Sequence, residues 1–140
     1  MKSFVLDTSV AAAWYLPEEF AREARAWRDR LLSGSVHLIV PSFHYWELGN
    51  VLRTYARRQE IPTDLAREIF ALHLDAPLEI AEPDRGEVLA AALDYDATIY
   101  DAVYISLALE LDLPLLTAER TTTPWVVRLG ARVRSVRSPS

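Results

Sequence analysis

Short apolar segments and longer helical patterns alternate along this chain of 140 residues. Most of the short segments are continuous apolar runs, a pattern typical of parallel strands that are covered on both faces. They predict five strands, at residues 4–7, 36–40, 78–81, 115–117 and 132–136. The pattern therefore favours a buried parallel sheet whose connections cross its faces.

Helical patterns fill the intervals between the predicted strands. They predict helices at residues 10–16, 18–32, 43–58, 63–73, 85–93, 100–111 and 124–129. Apolar residues recur at helical spacing along the second of these helices: Phe20, Ala24, Trp27 and Leu31. Ser42 is the predicted N-cap of the third. Strands and helices thus alternate, with two helices between the second and third strands, which predicts an α/β sandwich with a parallel sheet.

The composition agrees with one packed domain. Hydrophobic residues make up 51% of the chain, and no repeat or linker divides it, so residues 1–140 are predicted to form a single domain. The absence of cysteine excludes disulfides, thiolate metal sites and thiol nucleophiles, and it fits a cytoplasmic location. No apolar segment approaches membrane-spanning length, and Asp7 interrupts the N-terminal run that superficially resembles a signal peptide.

Four acidic residues stand at junctions where a predicted element begins or ends. They are Asp7 after the first strand, Glu47 one turn into the third helix, Asp101 at the start of the sixth helix, and Glu119 after the fourth strand. Junctions of this kind form the rim of ligand sites in open α/β sheets. We therefore expect the four carboxylates to share one acidic pocket, and such a pocket suggests a divalent metal ion.

Each of these acids also has an explanation that requires no functional site. Asp7 is a residue type that caps helices, and Thr98 three positions before Asp101 matches the capping-box pattern. Glu47 in a first helical turn would complement the helix dipole, and Glu119 is compatible with an exposed loop. The functional interpretation is strengthened for Asp7 because it is the only charged residue between positions 3 and 16.

The net charge of −5 argues against a nucleic-acid surface of the ordinary basic kind. Metal bound at the four acids would neutralise much of that charge in place. Lys2 is the only lysine, and arginine, which supplies every other cation, offers phosphate a planar fork and stacks on bases. The candidate phosphate contacts are Arg53, Arg57, Arg58, Arg132, Arg134 and Arg137. A solvated helix face and a charged tail explain the same clusters without nucleic acid.

Several other chemistries lack support in the sequence. His37, His44 and His73 share no metal-ligand spacing, and His73 ends a predicted helix, where it would interact with the dipole. The chain has neither the Gly-x-Ser-x-Gly elbow of serine hydrolases nor a phosphate-binding glycine loop. A phosphoacceptor receiver domain has a similar length and similar N-terminal acids, but it needs a lysine late in the chain, and none follows Lys2.

Taken in order, the acids and their neighbours resemble the motifs of the PIN-domain family. The matching strings are Phe4-Val5-Leu6-Asp7-Thr8-Ser9, Pro41-Ser42 followed by Glu47, Tyr100-Asp101-Ala102 followed by Tyr104, and Leu116-Thr117-Ala118-Glu119. The resemblance spans essentially the whole chain, and the size and element order are most similar to the VapC-type toxins of that family.

The resemblance implies a three-layer α/β/α fold with a central, mostly parallel sheet, and Mg²⁺- or Mn²⁺-dependent cleavage of RNA. It implies that Asp7, Glu47 and Asp101 are an acidic triad with catalytic and metal-binding roles. Glu119 stands where many members have aspartate, so its contact with metal is either direct or through water. The chemistry is consistent, because magnesium favours carboxylate and water oxygens, and bound metal activates water and shields phosphate.

Supporting residues and partners follow from the same resemblance. Thr8, Ser9 and Thr117 match positions that hold the acids by hydrogen bonds. The expected partners are a cognate VapB-type antitoxin, a second copy of the chain in a homodimer, and single-stranded or loop RNA. Three aromatic residues are candidates for an antitoxin groove: Trp14, Tyr15 and Trp46. The alternative function is a catalytically silent PIN-like module that only binds a partner or RNA.

Overall fold

The computed structural model describes residues 1–137 and has a five-stranded parallel sheet at its centre. The strands are β1 (Lys2–Leu6), β2 (Val36–Val40), β3 (Glu79–Ile80), β4 (Leu115–Thr117) and β5 (Val133–Ser135). Their order across the sheet is β3-β2-β1-β4-β5, and every neighbouring pair is parallel. All five predicted strands are therefore present, although β3 and β5 are shorter than their apolar patterns.

Among residues 1–137, seven α-helices connect and flank the strands. They are α1 (Thr8–Ala12), α2 (Ala21–Leu32), α3 (Phe43–Arg57), α4 (Thr63–Leu74), α5 (Arg85–Tyr95), α6 (Ile99–Leu111) and α7 (Pro124–Leu129), and a 3₁₀ turn, Gly130–Arg132, follows. The first helix begins two residues before its predicted start, because Asp7 already occupies the extended N-cap position. It also ends four residues before its predicted end, so α1 is only five residues long.

The prediction that Ser42 caps α3 through its side chain is wrong. Ser42 has helical backbone angles (φ −59°, ψ −30°), whereas a capping residue needs an extended backbone to turn its oxygen towards the first helical amides. Its own amide instead donates to Glu82 Oε1 at 2.7 Å, so a carboxylate from the loop after β3 meets this helix start.

Two helical layers cover the two faces of the sheet, because successive side chains of a strand point to opposite sides. On β1, Phe4 and Leu6 belong to the core shared with α1 and α2, where Phe4 meets Trp27 edge-on with ring centroids 4.8 Å apart. Val5 faces the other way, into the core shared with α5, α6 and α7. The predicted three-layer α/β/α arrangement is confirmed.

A third apolar cluster holds the hairpin of α3 and α4 against the rest of the fold. Leu48 and Leu52 from α3 pack with Ile69 from α4 and with Leu16, just beyond α1. This cluster fixes the hairpin beside the carboxyl end of β1. Within residues 1–137, no helix is long and apolar enough to cross a membrane.

The sheet has a topological switch point between β1 and β4. The chain leaves β1 towards β2 on one side, and β4 later pairs with β1 on the other side. At the carboxyl ends of β1 and β4 the connections therefore run in opposite directions, which leaves a crevice between the two strand ends. Ligands of open α/β sheets bind in such a crevice. Asp7 follows β1 directly, and its amide donates to Leu116 of β4 at 2.9 Å, which fixes the acid at the crevice.

Candidate active site

Asp7 is held at the crevice by two hydroxyl groups. Its Oδ2 accepts hydrogen bonds from Thr117 Oγ1 at 2.7 Å and from Ser9 Oγ at 3.1 Å, and its side chain is almost inaccessible, with 8% exposed. Both hydroxyls are fixed in turn by backbone amides of the β4 end, because Ser9 Oγ accepts from Ala118 and Thr117 Oγ1 accepts from Glu119, each at 3.0 Å. The contacts predicted for Ser9 and Thr117 are thus in place around Asp7.

Glu47 projects from the second turn of α3 and is held by a different pair of donors. Its Oε1 accepts from Tyr104 Oη at 2.5 Å and from Thr8 Oγ1 at 3.0 Å. Thr8 therefore supports Glu47 and not the neighbouring Asp7. The sequence did not single out Tyr104 as a supporting residue, although Tyr104 belongs to the motif that begins at Tyr100.

Asp101 lies in the first turn of α6, where the capping pattern and the site coincide. Its amide donates to Thr98 Oγ1 at 3.1 Å, so Thr98 is the N-cap that the sequence pattern indicated. The helix that follows is buried along most of its length, which directs this first-turn carboxylate to the end of the sheet. This segment therefore both caps α6, through Thr98, and contributes Asp101 to the site.

Glu119 follows β4 and is partly buried. Its Oε1 accepts from Thr123 Oγ1 at 3.2 Å, so one oxygen is directed towards the loop before α7. All four predicted acids line one cavity of about 310 Å³, together with Thr8, Ser9, Ala12, Asn50 and Val51. The structure thus brings the four acids together as expected, while their roles in chemistry stay predictions.

Burial, with the charges of neighbouring acids, raises the pKa values of three of these acids, Asp7, Glu47 and Asp101. Burial raises the pKa of Asp7 from 3.8 to about 7; the charges of Asp101 and Glu47 add to the effect, and the hydrogen bonds from Thr117 and Ser9 oppose it. Burial is also the main cause of the raised pKa values of Glu47 and Asp101. The cavity therefore disfavours its own carboxylate charges, and a cation would relieve that unfavourable energy.

The donor set fits a hard divalent cation that keeps part of its water. The acids that line the cavity offer oxygen ligands, which Mg²⁺ prefers. Among residues 1–137, however, no three acidic, histidine or cysteine side chains stand close enough together to ligate one ion at once. Mg²⁺ is usually bound through one or two carboxylates and several waters, so an ion in this cavity would contact some of the predicted ligands, Asp7, Glu47 and Asp101, directly and the others through water.

A buried histidine pair lies behind Thr8, and sequence reasoning missed it. Thr8 Oγ1 is 3.0 Å from His44 Nδ1, His44 Nε2 is 2.9 Å from His73 Nε2, and His73 Nδ1 is 2.7 Å from Tyr15 Oη. Both imidazoles are fully buried, which lowers the pKa of His44 to about 3 and that of His73 to about 4. The main interactions of His73 are therefore its contacts with His44 and Tyr15. The expected interaction with the helix dipole does not describe them.

The three aromatic residues proposed for one antitoxin groove do not form one. Trp14 is buried, with 3% exposed, and with the half-buried Tyr15 it lines a cavity between α2 and the end of α4. Trp46 is 71% exposed and lines a separate apolar groove of about 740 Å³ between α3 and α4. Trp14 follows the short α1 and packs into the core beside the histidine pair. Its sequence neighbours do not indicate this burial.

The candidate phosphate-binding arginines fall into two groups, apart from Arg58, which is exposed directly after α3 and does not line the groove described next. Arg53 and Arg57 line the α3–α4 groove, and this groove adjoins the acid cavity because Asn50 lines both. The C-terminal arginines have partners within the fold: Arg132 pairs with Asp112 at 3.1 Å, the Arg134 guanidinium lies 5.4 Å from the Trp27 ring centre, and Arg137 Nε donates to the Ala118 carbonyl at 2.5 Å. The groove arginines are the better placed to meet a ligand of the acid cavity.

Comparisons with known proteins agree with this architecture. The PIN domain family model matches residues 4–121. Ribonuclease VapC3 of Pyrobaculum aerophilum is 31% identical over 124 residues, which covers 83% of this chain and 88% of that protein. The crystal structure of PAE2754 from Pyrobaculum aerophilum is 20% identical, covers 96% of this chain and 90% of its own, and has a TM-score of 0.72, which supports the fold.

The raised pKa of Asp7 predicts an unusual dependence of stability on pH. Between pH values of about 4 and about 7 the folded state keeps a proton on Asp7 that the unfolded state has released. The free energy of unfolding in the absence of divalent cations should therefore fall as pH rises through this range. Asp7→Asn should flatten the dependence and raise the free energy of unfolding above pH 7, since an amide oxygen can still accept from Thr117 and Ser9.

Urea denaturation in the presence of a chelator, repeated across this pH range, measures the effect. The matched control is Asp94→Asn, because Asp94 is an exposed aspartate on α5 that does not line the acid cavity. The control should keep the wild-type slope. Parallel pH profiles for wild type and Asp7→Asn would contradict the prediction.

Proposed function

This chain belongs to the PIN domain family, in the VapC-type branch, and from that premise we propose that it is a metal-dependent endoribonuclease acting as the toxin of a VapBC-type toxin–antitoxin pair. The single observation that carries the proposal is the meeting of four acids around one cavity at the switch point of the sheet. The proposed substrate of this cavity is RNA, and the proposed site of action is therefore the cytoplasm.

Each acid has a part in the proposed hydrolysis. Asp7 and Asp101 would hold a Mg²⁺ ion, or Mn²⁺ in its place, and that ion when bound would lower the pKa of water and shield charge on the phosphate. Glu47 has one oxygen fixed by Tyr104 and Thr8, which leaves Oε2 to orient a water and take its proton. Glu119 supports the water structure around the same cavity, with its other oxygen tied to Thr123.

The neighbouring α3–α4 groove suits a single-stranded substrate. Trp46 exposes an aromatic face on which a base can stack, and Arg53 and Arg57 lie along the same groove to meet phosphates. Bases in a loop or single strand are free to stack in this way, whereas bases inside a duplex are not. Loop or single-stranded RNA is therefore the proposed substrate class.

One observation favours the alternative of a silent binding module. Within residues 1–137 the acids do not form a ready three-residue ligand group for metal, and Glu119 replaces the aspartate of many relatives. A PIN-like module that had lost catalysis would keep the groove and its arginines while binding metal poorly. Nuclease activity and metal affinity together distinguish the two functions.

The nuclease proposal is tested by removing one carboxylate at a time. Asp7→Asn and Asp101→Asn should each reduce the rate of RNA cleavage by about two orders of magnitude or more, a typical loss when a main electrostatic contributor is removed. The measurement is a map of cleaved RNA ends after expression without the antitoxin, followed by purified-protein assays with Mg²⁺ or a chelator. Asp94→Asn is the control and should cleave as the wild type does. If Asp101→Asn and wild type give the same map, the acid cavity is not a nuclease site.

The role of the groove arginines is tested by the salt dependence of binding. In an Asp101→Asn background, Arg53→Ala should weaken binding to single-stranded RNA of any sequence and reduce the slope of log K against log salt by about one unit. Fluorescence anisotropy over a salt series gives both values. Arg22→Ala removes an exposed arginine from α2 and should leave the slope unchanged. An unchanged slope for Arg53→Ala would remove this residue from the proposed RNA path.

The α3–α4 groove is also the proposed binding site of the antitoxin. Its lining combines Trp46, Phe70 and Leu74 with cations at its edges, which suits an amphipathic helix with acidic flanks. An antitoxin seated there would cover the arginines assigned to RNA, so binding and inhibition would coincide. The homodimer surface is proposed elsewhere, on α5 and α7, where Leu93 and Val127 are exposed.

Light scattering separates these two surfaces. The chain alone at micromolar concentration should have twice its 15.9 kDa mass. Leu93→Asp should shift it to the mass of one chain, since it places a charge on the proposed dimer face. Leu74→Asp is the matched control, because it alters an exposed leucine in the groove: it should stay dimeric and lose affinity for the antitoxin. A monomeric wild-type chain would overturn the dimer proposal.

A further inference from the structure

A continuous chain of hydrogen bonds links the acid cavity to a tyrosine on the far side of α1. It starts at Glu47 Oε1, which accepts from Thr8 and Tyr104, and continues from Thr8 Oγ1 to His44 Nδ1. The two imidazoles then join through their Nε2 atoms at 2.9 Å. The last contact joins His73 to Tyr15 Oη, so the chain draws on β1–α1, α3, α4 and α6.

The direction of the chain follows from counting protons. Two neutral imidazoles that meet through Nε2 need one N–H and one lone pair at that contact. If His73 is the donor there, His44 carries its proton on Nδ1 and donates to Thr8, and the Thr8 hydroxyl is free to donate towards Glu47. If His44 is the donor instead, its Nδ1 must accept from Thr8 at 3.0 Å or from Tyr104 at 3.5 Å, and only one of these two hydroxyls is left to donate to Glu47.

The short contact between Thr8 and Tyr104 favours the first direction. These two oxygens are 2.5 Å apart, and Tyr104 already donates to Glu47. The Thr8 hydroxyl must therefore supply the proton between Thr8 and Tyr104, and because it has a single proton, it shares that proton between Tyr104 at 2.5 Å and Glu47 at 3.0 Å. If Thr8 instead donated to His44, two oxygens at 2.5 Å would face each other without a proton between them, which is strongly repulsive.

The charges at the two ends favour the same direction. Glu47 at one end attracts O–H groups, and the positive charge of Arg28, which lines the same cavity as Tyr15, lies near the other end. A cation beside Tyr15 attracts the lone pairs of its oxygen and turns the O–H towards His73 Nδ1. Every dipole along the chain then points from Tyr15 to Glu47. The lowered pKa values of both histidines agree with neutral rings at physiological pH.

We propose that Tyr15, His73 and His44 are positioning residues for Glu47. By holding both imidazoles in one tautomeric arrangement, they keep the Thr8 hydroxyl as a donor, so that Glu47 stays fixed through one oxygen and presents the other to the acid cavity. None of the three residues lines that cavity. The inference rests on the proposed function for its catalytic consequence, but the tautomers themselves do not depend on it.

The first test is therefore independent of activity. Long-range ¹H–¹⁵N NMR of the histidine rings in the metal-free wild-type chain at pH 7 reports the tautomer of each ring. We expect His44 to carry its proton on Nδ1 and His73 to carry its proton on Nε2. The opposite pair of tautomers, or rapid exchange between the two forms, would overturn the proposal whether or not the chain cleaves RNA.

The second test uses two tyrosines that both pack against His73. Tyr15 and Tyr45 have ring centroids 5.5 Å and 5.9 Å from the His73 ring, and of these two tyrosines only Tyr15 forms a hydrogen bond to His73 in the described residues. Tyr15→Phe should weaken Mn²⁺ binding and lower kcat by about tenfold or more while KM for RNA stays unchanged, since residues that orient a metal-site ligand typically contribute 10- to 100-fold. Tyr45→Phe should match the wild type in all three values.

His73 offers a conservative rescue. His73→Leu should lose about as much in Mn²⁺ affinity and kcat as the tyrosine variant or more, and His73→Gln should recover part of both, because a glutamine amide can still donate to His44. Equal effects of Tyr15→Phe and Tyr45→Phe would show that packing, and not the hydrogen-bond chain, matters here. If the wild type cleaves no RNA, the proposed function fails, while the tautomers and Mn²⁺ affinities still decide this inference. If His73→Leu does not fold, the tyrosine pair and the wild-type spectra decide it.

Discussion

The burial of a carboxyl group at the carboxyl end of β1, in a cavity shared with other acids, is the constraint on which the rest of the site depends. Asp7 is nearly inaccessible to solvent; this burial raises its pKa, and the charges of Asp101 and Glu47 add to the effect. A carboxylate in that position is tolerated only if its oxygens are satisfied. Thr117 and Ser9 do this, and their own acceptor sites are filled by amides at the end of β4, so both protons are directed at Asp7.

The fold meets this constraint with two separate kinds of support. Asp7 depends on the sheet, because the pairing of β4 with β1 brings the Thr117 hydroxyl and the amides beyond it to the switch point. Glu47 depends on the helical side of the fold, because its donors, Thr8 and Tyr104, meet it between α1, α3 and α6. A change that loosens the α3–α4 hairpin would therefore affect Glu47 before it affects Asp7.

The sequence predicts the sheet and the positions of the acids because both are encoded by local patterns. Most of the predicted strands are short apolar runs, and Asp7, Glu47, Asp101 and Glu119 stand near the junctions of elements that the same patterns locate. The roles of these acids in chemistry stay predictions. The histidine pair is different, since its two members lie on different helices and no ligand spacing relates them. Their meeting is a product of the third apolar cluster, which packs α3 against α4, and only coordinates reveal it.

Trp14 and Ser42 show why other local predictions fail. Trp14 lies two residues beyond the five-residue α1, and a segment this short does not reveal in its sequence which side is buried, so Trp14 looks available when it is in fact in the core. Ser42 has the residue type of a cap, but its backbone is already helical, and the loop after β3 determines this through Glu82. In both cases the deciding contact comes from a segment distant in sequence.

Burial and the charges of neighbouring acids raise the pKa values of Asp7, Glu47 and Asp101. Hydroxyl donors hold individual acids in place within this cavity. Glu47 is tied to Tyr104, and Glu119, whose side chain is one methylene longer than aspartate, is tied to Thr123. Cation affinity at such a site arises from relief of repulsion as much as from direct ligation. Water-bridged contacts would relieve that repulsion without breaking the hydrogen bonds that keep each acid in place.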